Sequence, residues 1–213
     1  MTAVPTSPAP TPRHALGLPA GSVRALLAFG VLALSWGIVL KQLYGGDPKL
    51  PLMFVYLQAL MLLILASFFA AHGKSIGGHV DQRPPLGLPR GSVRFLLLAG
   101  YAGLVYFLYR NKSEFDVPPT GQEAWFVLLL VTSGFFLGHF LSRFIQTLSG
   151  GTEPYWYQDI QAWMSLLAMI AMTVVSIMHL VINPSLKQPD QLDLTTVEAF
   201  LSAVVGFYFG SRS

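Results

Sequence analysis

The residues best suited to bind a ligand lie in a motif that occurs twice. Residues 16–30 read LGLPAGSVRALLAFG, residues 86–100 read LGLPRGSVRFLLLAG, and eleven of the fifteen positions are identical. Each copy places a serine and an arginine at the start of a long apolar segment, and these residues are Ser22, Arg24, Ser92 and Arg94. Backbone N–H groups at a helix N-terminus, together with arginine, favour phosphate or carboxylate. The motif therefore predicts a paired site for an anionic lipid headgroup or an acidic strip of a partner.

A purely structural role accounts for much of the same motif. Leu-x-Leu-Pro is typical of extended chain at the membrane interface, glycine allows a turn, and Ser22 or Ser92 caps the following helix. Arg24 or Arg94 then holds that helix end among lipid headgroups. The identity of the two copies exceeds what this role requires, because Thr, Asp or Lys would serve as well. The sequence leaves both interpretations open.

Two histidines occupy matching positions in the predicted membrane segments. His72 and His139 each directly follow the second small residue of a small-xxx-small pattern. Neutral imidazole ligates haem iron and the magnesium of chlorophyll, so these residues are candidate cofactor ligands. A polar residue at a helix end is the more common use. We therefore expect no resident cofactor or metal, and we keep haem or chlorophyll as an alternative.

Other catalytic signatures are absent from the sequence. The chain has no cysteine, no GxxxxGK loop, no HExxH helix and no GxSxG elbow. Glu198 is the one acidic residue placed inside a predicted membrane helix, and Thr195-x-x-Glu198 has the form of a capping box, which would explain it. We expect neither enzymatic activity nor a proton pump, and the formal charge of +3 does not indicate a nucleic-acid partner.

The composition predicts a protein built from membrane-spanning helices. Hydrophobic residues make up 53% of the 213 residues and charged residues 11%, whereas soluble domains carry roughly a quarter charged residues. A helix needs about 20 apolar residues to cross the hydrocarbon layer. The six apolar runs are residues 23–43, 52–71, 93–109, 124–141, 163–182 and 194–210. The predicted fold is therefore an all-α integral membrane protein with six transmembrane helices.

Small residues four positions apart recur in the even-numbered spans. They are Ser67 with Ala71, Gly134 with Gly138, and Gly206 with Gly210. Such pairs allow helix backbones to approach closely in a bilayer. Together with the repeated motif, they predict three helical hairpins related by a parallel repeat, 16–73, 86–145 and 155–212, with the third diverged. These hairpins form one transmembrane domain, 16–213, preceded by a disordered tail, 1–15.

The distribution of basic residues predicts the orientation. Eight of the thirteen Lys and Arg residues fall on the side that holds both termini and the loops after spans two and four, and five fall on the other side, which also carries most acidic residues. Because short cytoplasmic loops are enriched in Lys and Arg, both termini are expected to be cytoplasmic. We expect the chain to reside in a bacterial cytoplasmic membrane.

These observations favour a non-enzymatic polytopic subunit, a scaffold or accessory component that packs laterally in a larger membrane assembly. Its expected partners are membrane lipids, including anionic ones, and other membrane proteins or further copies of itself, but no nucleic acid. A channel or carrier is the first alternative, with Gln58, Gln161 and Glu198 as its polar groups. A cofactor-bearing subunit of an electron-transfer or light-harvesting complex is the second.

Overall fold

The computed structural model describes residues 18, 21–45, 50–70, 85–89, 91–111, 115, 122–149, 154–186, 192 and 194–212, without the side chains of 70, 85, 122–128 and 184. Within these ranges all regular structure is helical. The helices are α1 (Ser22–Gly45), α2 (Leu52–Ala70), α3 (Ser92–Arg110), α4 (Gln122–Leu148), α5 (Tyr155–Ile177) and α6 (Thr195–Ser211). The predicted tail, together with Ala71 and His72, lies outside the described residues.

Four of the helices are long and apolar enough to cross a membrane. They are α1, α2 through Phe69, α3, and α5 with its continuation to Ile182. The predicted all-helical class is confirmed for the described residues, and these four helices are compatible with an integral membrane protein.

Helix α5 differs from its prediction at both ends. It begins at Tyr155, directly after Pro154, rather than at Trp163. Its far end widens into a π-helical segment, Met178–Ile182, and then tightens into a 3₁₀ turn, Asn183–Ser185. The aromatic residues before Trp163 are therefore part of the helix itself, because Pro154 already supplies a start.

Helices α2 and α6 lie at the centre of the bundle. Helix α2 packs against α1, α3, α4 and α6, and α6 packs against α2, α4 and α5. Fully buried large side chains follow one another along α2, including Tyr56, Leu57, Leu60, Met61 and Ile64. A helix that is apolar on all sides is one that other elements surround.

The two repeat copies lie side by side, and their helices α1 and α3 run parallel. Near their starts, the backbone N–H of Leu86 donates to Oγ of Ser22 at 3.1 Å. Further along, Nε1 of Trp36 donates to the carbonyl oxygen of Gly100 at 3.1 Å. We call the end of the bundle at which α1 and α3 begin the motif end.

Helices α3 and α4 have other neighbours than a packed hairpin predicts. Helix α3 lies on α1 and α2, whereas α4 lies on α2 and α6, and the described residues form no substantial contact between α3 and α4. The two helices of the predicted hairpin 86–145 follow one another in the chain, but their described residues do not pack closely together.

The closest helix contact is between α4 and α6, and glycine makes it. A Cβ on Gly134 would lie 2.5 Å from the carbonyl oxygen of Ala203, and one on Gly206 would lie 3.0 Å from that of Val131. Cβ atoms on Gly138 and Gly210 would collide with the carbonyl oxygens of Phe207 and Phe135, respectively. The contacts advance in the same direction along both chains, so the two helices are parallel.

This contact places the glycine faces inside the protein. The small-xxx-small pattern predicts that these residues contact other helices. In the structure, the glycine faces of α4 and α6 pack against each other, as van der Waals packing favours in a bilayer. They are consequently not a surface for a partner.

We predict that Gly138→Ala and Gly210→Ala each destabilise the protein by about 1–3 kcal/mol, because the added methyl group meets backbone that cannot move aside. Gly206→Ala should cost less, since its Cβ is tight without colliding. Thermal unfolding in detergent measures the effect. The control is Gly37→Ala, where nothing lies within 4 Å of the new Cβ. Equal stability of the Gly138 and Gly37 variants would contradict the α4–α6 contact.

Candidate functional site

Glycine, rather than serine, shapes the helix starts of the repeated motif. Gly21 and Gly91 have φ angles of 80° and 88°, which a residue with a Cβ adopts only at a cost. Each then accepts the first helical hydrogen bond, from the backbone N–H of Ala25 at 2.9 Å and of Phe95 at 3.1 Å. The glycine of LGLPxGSVR is therefore the residue that turns the chain into the helix.

The predicted capping role of Ser92 is wrong. Gly91 is the N-cap residue of α3, and no side chain caps this helix. The hydroxyl of Ser92 instead donates to the carbonyl oxygen of Pro89 at 2.7 Å. This hydrogen bond binds the Leu-Pro segment back onto the helix start.

The serine of the first copy has a different partner. Ser22 is buried, and its Oγ accepts the hydrogen bond from Leu86 in the second copy. Leu86 has a φ of 55°, an unusual angle for a residue with a branched side chain. The backbone of the second copy thus binds a side chain of the first copy. Ser22 and Ser92 hold the same position in the motif, but their hydrogen-bond partners differ.

Arg24 lies at the point where the repeated motif meets the aromatic residues of the even-numbered helices. Its Cζ lies 4.6 Å from the ring centroid of Phe68 on α2 and 5.9 Å from that of Phe209 on α6. Both distances are within the range of cation–π attraction. The start of α1 and the ends of α2 and α6 therefore share the motif end.

Two further arginines surround this position. Arg94 lies in the first turn of α3, which packs beside α1, and Arg212 directly follows α6, three residues after Phe209. The guanidinium of Arg212 also lies 6.0 Å from the ring centroid of Tyr208, which is buried. We call Arg24, Arg94 and Arg212 the arginine cluster.

Sequence reasoning found part of this cluster and missed the rest. It assigned Arg24 and Arg94 to one site but left out Arg212, because that residue follows the hairpin without the motif. Phe68 and Phe209 lie within the small-xxx-small segments of spans two and six. The recurrence of aromatic residues at the same end of spans two and six was the available signal.

A second polar site lies at the opposite end of the bundle. Glu198 is 2% exposed, and its Oε1 lies 3.5 Å from Nδ1 of His179 in the π-helical segment of α5. The predicted capping-box start is displaced by one residue, because Leu194 is the N-cap and accepts from the backbone N–H of Glu198 at 2.9 Å. The structure thus gives this carboxylate an interhelical partner that the capping box did not predict.

The two-histidine cofactor hypothesis stays a prediction, because one of its two residues is not described. His139 lies on α4, with its ring centroid 6.0 Å from that of Phe140. His72 is outside the described residues. Among the described residues, no three His, Cys, Asp or Glu side chains are grouped to hold a metal ion.

Ser67, the described small residue of α2, is buried and donates to the carbonyl oxygen of Ile64 at 2.7 Å.

No protein-family model, curated protein or solved structure matches this chain.

We predict that Gly91→Ala destabilises the protein by about 1–2 kcal/mol, because alanine does not readily adopt a left-handed φ. Ser92→Ala should change stability by less than about 0.5 kcal/mol, since Ser92 is not the cap. Thermal unfolding of both variants in one detergent compares them. The reverse order, with Ser92→Ala the more damaging, would restore Ser92 as the capping residue.

We also predict energetic coupling between His179 and Glu198. Replacing either residue by alanine should destabilise the protein, and the double variant should lose less than the sum by about 0.5–3 kcal/mol, because each single change removes the same interaction. A double-mutant cycle of unfolding free energies measures this coupling. His139→Ala is the control for losing an imidazole. Additive effects of the two changes would contradict the pair.

Proposed function

We propose that the chain is a six-span integral membrane protein in which α4 and α6 also cross the bilayer. Helix α4 has 27 residues, and α6 has 17, which reaches about 26 Å at 1.5 Å per residue. Both pack lengthwise on α2, a candidate span. Continuous contact between α2, α4 and α6 supports a common membrane-spanning core.

The proposed orientation has both chain termini in the cytoplasm. The bias in Lys and Arg favours this side for the motif end. Contacts of Arg24 with Phe68 and Phe209 bring the start of α1 and the end of α6 to one end of the bundle, which supports placing both termini on the same side of the membrane. Because the first helix starts and the last helix ends on the same side, the chain crosses the membrane an even number of times.

We propose a non-enzymatic role as a laterally packing component of a larger membrane assembly. The glycine faces that first suggested this role are occupied within the chain, so another surface must carry it. Helix α3 supplies that surface. Only 17% of its apolar stretch is buried inside the protein, compared with 56% for α2.

The exposed side of α3 combines bulky and small residues. Phe95, Tyr106 and Tyr109 are 65–72% exposed, and Ala99 between them is also exposed. Aromatic residues are enriched where proteins contact each other, and a small residue among them allows a helix to approach. Together with the absence of substantial contact to α4 in the described residues, this side of α3 is the best-supported surface for a partner's transmembrane helix.

The polar residues named for a channel or carrier lie at different depths of the bundle. Glu198 is at the opposite end from the motif end, whereas Gln161 lies near the start of α5. We rank lateral packing above transport because most of the apolar stretch of α3 is not buried inside the protein.

Site-specific photo-crosslinking in the native membrane tests the proposal. A photoreactive side chain at Phe95 or Tyr106 should capture a discrete membrane protein, because these positions face outward from α3. The control positions are Leu137 on α4 and Ile170 on α5, which are comparably exposed. The mass of the product separates a second copy of the chain from another protein. Lipid adducts alone at Phe95 and Tyr106, as at the controls, would rule out the α3 surface.

A further inference from the structure

The guanidinium of Arg24 is incompletely satisfied by the protein. Its Nε and Nη2 atoms are buried and have no hydrogen-bond acceptor among the described residues. The rings of Phe68 and Phe209 attract the positive charge through their faces, but they provide no lone pair for these N–H groups. Burying charged donors without an acceptor costs free energy, so this position favours a ligand that supplies acceptor oxygens.

The positive charges around Arg24 indicate that this ligand is an anion. Arg94 and Arg212 add positive charge from α3 and from the residue after α6. Within the described part of the chain, no carboxylate forms an ion pair with Arg24. Charges of one sign that lie close together repel one another, and an anion bound among them lowers that repulsion.

A buried amide lies at the same depth on α5. Gln161 is 2% exposed, and neither its Oε1 nor its Nε2 has a hydrogen-bond partner among the described residues. Gly30 of α1 faces Met169 of α5, and eight residues earlier in each helix are Ser22 and Gln161. Because helices rise equally per residue, Gln161 lies at about the depth of the α1 start.

We propose that the arginine cluster is a binding site for a phosphate group, with Arg24 as its central ligand. A phosphate presents several acceptor oxygens and carries up to two negative charges, which suit the arginine fork and the surrounding positive charge. The phosphate belongs either to the headgroup of an anionic lipid or to a soluble compound. The site adjoins the exposed side of α3 at Arg94 and Phe95, but lipid binding and crosslinking at Tyr106 are separate readouts, so the failure of one proposal leaves the other standing.

The two serines of the motif are not the ligands that the sequence suggested. Ser22 accepts from Leu86, and Ser92 donates to Pro89. The Ser22 hydroxyl joins the two motif copies, the Ser92 hydroxyl holds the Leu-Pro segment of its own copy, and the arginines carry the charge. Ser22→Ala should therefore weaken binding less than Arg24→Gln does.

The test measures lipid binding to the purified full-length chain. Native mass spectrometry compares retention of phosphatidic acid with that of phosphatidylcholine of the same acyl chains, and thermal unfolding is followed as each lipid is added. Arg24→Gln removes the charge, and Arg24→Lys keeps a charge but loses the paired N–H donors of the planar guanidinium. Arg143→Gln is the matched control, because it removes an exposed arginine near the end of α4. A parallel series with inorganic phosphate and zwitterionic lipid identifies a soluble source.

We expect the wild type and Arg143→Gln to retain phosphatidic acid over phosphatidylcholine and to be stabilised by it. Arg24→Gln should bind it at least about tenfold more weakly, as the loss of charge-assisted hydrogen bonds predicts, with Arg24→Lys intermediate. Stabilisation by inorganic phosphate alone, lost in Arg24→Gln, would support the site and assign it to a soluble ligand.

Three results would overturn the proposal. One is equal retention of both lipids by the wild type, without stabilisation by inorganic phosphate. Another is binding by Arg24→Gln or Arg24→Lys that equals wild-type binding. The third is weakening by Arg143→Gln as large as that by Arg24→Gln, which would indicate general charge attraction. The lipid comparison uses the wild type alone, so it holds even where a variant does not fold.

Discussion

Close backbone approach between α4 and α6 is the constraint on which the rest of this bundle depends. Side chains at Gly138 and Gly210 would collide with backbone, so these two helices come together only because glycine is present. Helix α6 is thereby held between α4, α2 and α5. Its end then presents Phe209 to Arg24, and its start presents Glu198 to His179. The contacts of Arg24 with Phe209 and of Glu198 with His179 therefore both depend on a helix that glycine positions.

The two ends of the bundle differ in the groups that surround a buried ionisable side chain. At the motif end, Arg24 is surrounded by aromatic rings and further arginines, and its buried N–H groups lack acceptors within the described residues. At the other end, Glu198 has the imidazole of His179 within 3.5 Å. Charged groups in low dielectric require a partner of opposite sign. The first site therefore lacks acceptor oxygens within the described residues, whereas at the second a carboxylate lies beside an imidazole that is charged only when protonated.

Much of the fold could be predicted because membrane helices follow from local composition. Long apolar runs predicted the helices, and their ends were displaced where a local residue decided otherwise, as Pro154 did for α5. The candidate site was predicted only in part. The motif pointed to Arg24 and Arg94, but the capping role given to Ser92 was wrong, since a glycine with positive φ already turns the chain.

The sequence alone determined that the chain is helical, that its apolar helices suit a membrane, and that a motif with serine and arginine starts two of them. These properties depend on residues close together in the chain. Tertiary structure alone decided that α4 packs on α6 rather than on α3, that Arg212 joins Arg24, and that Glu198 meets His179. Small-residue faces are alike in sequence, and which two meet depends on shape complementarity between helices far apart in the chain.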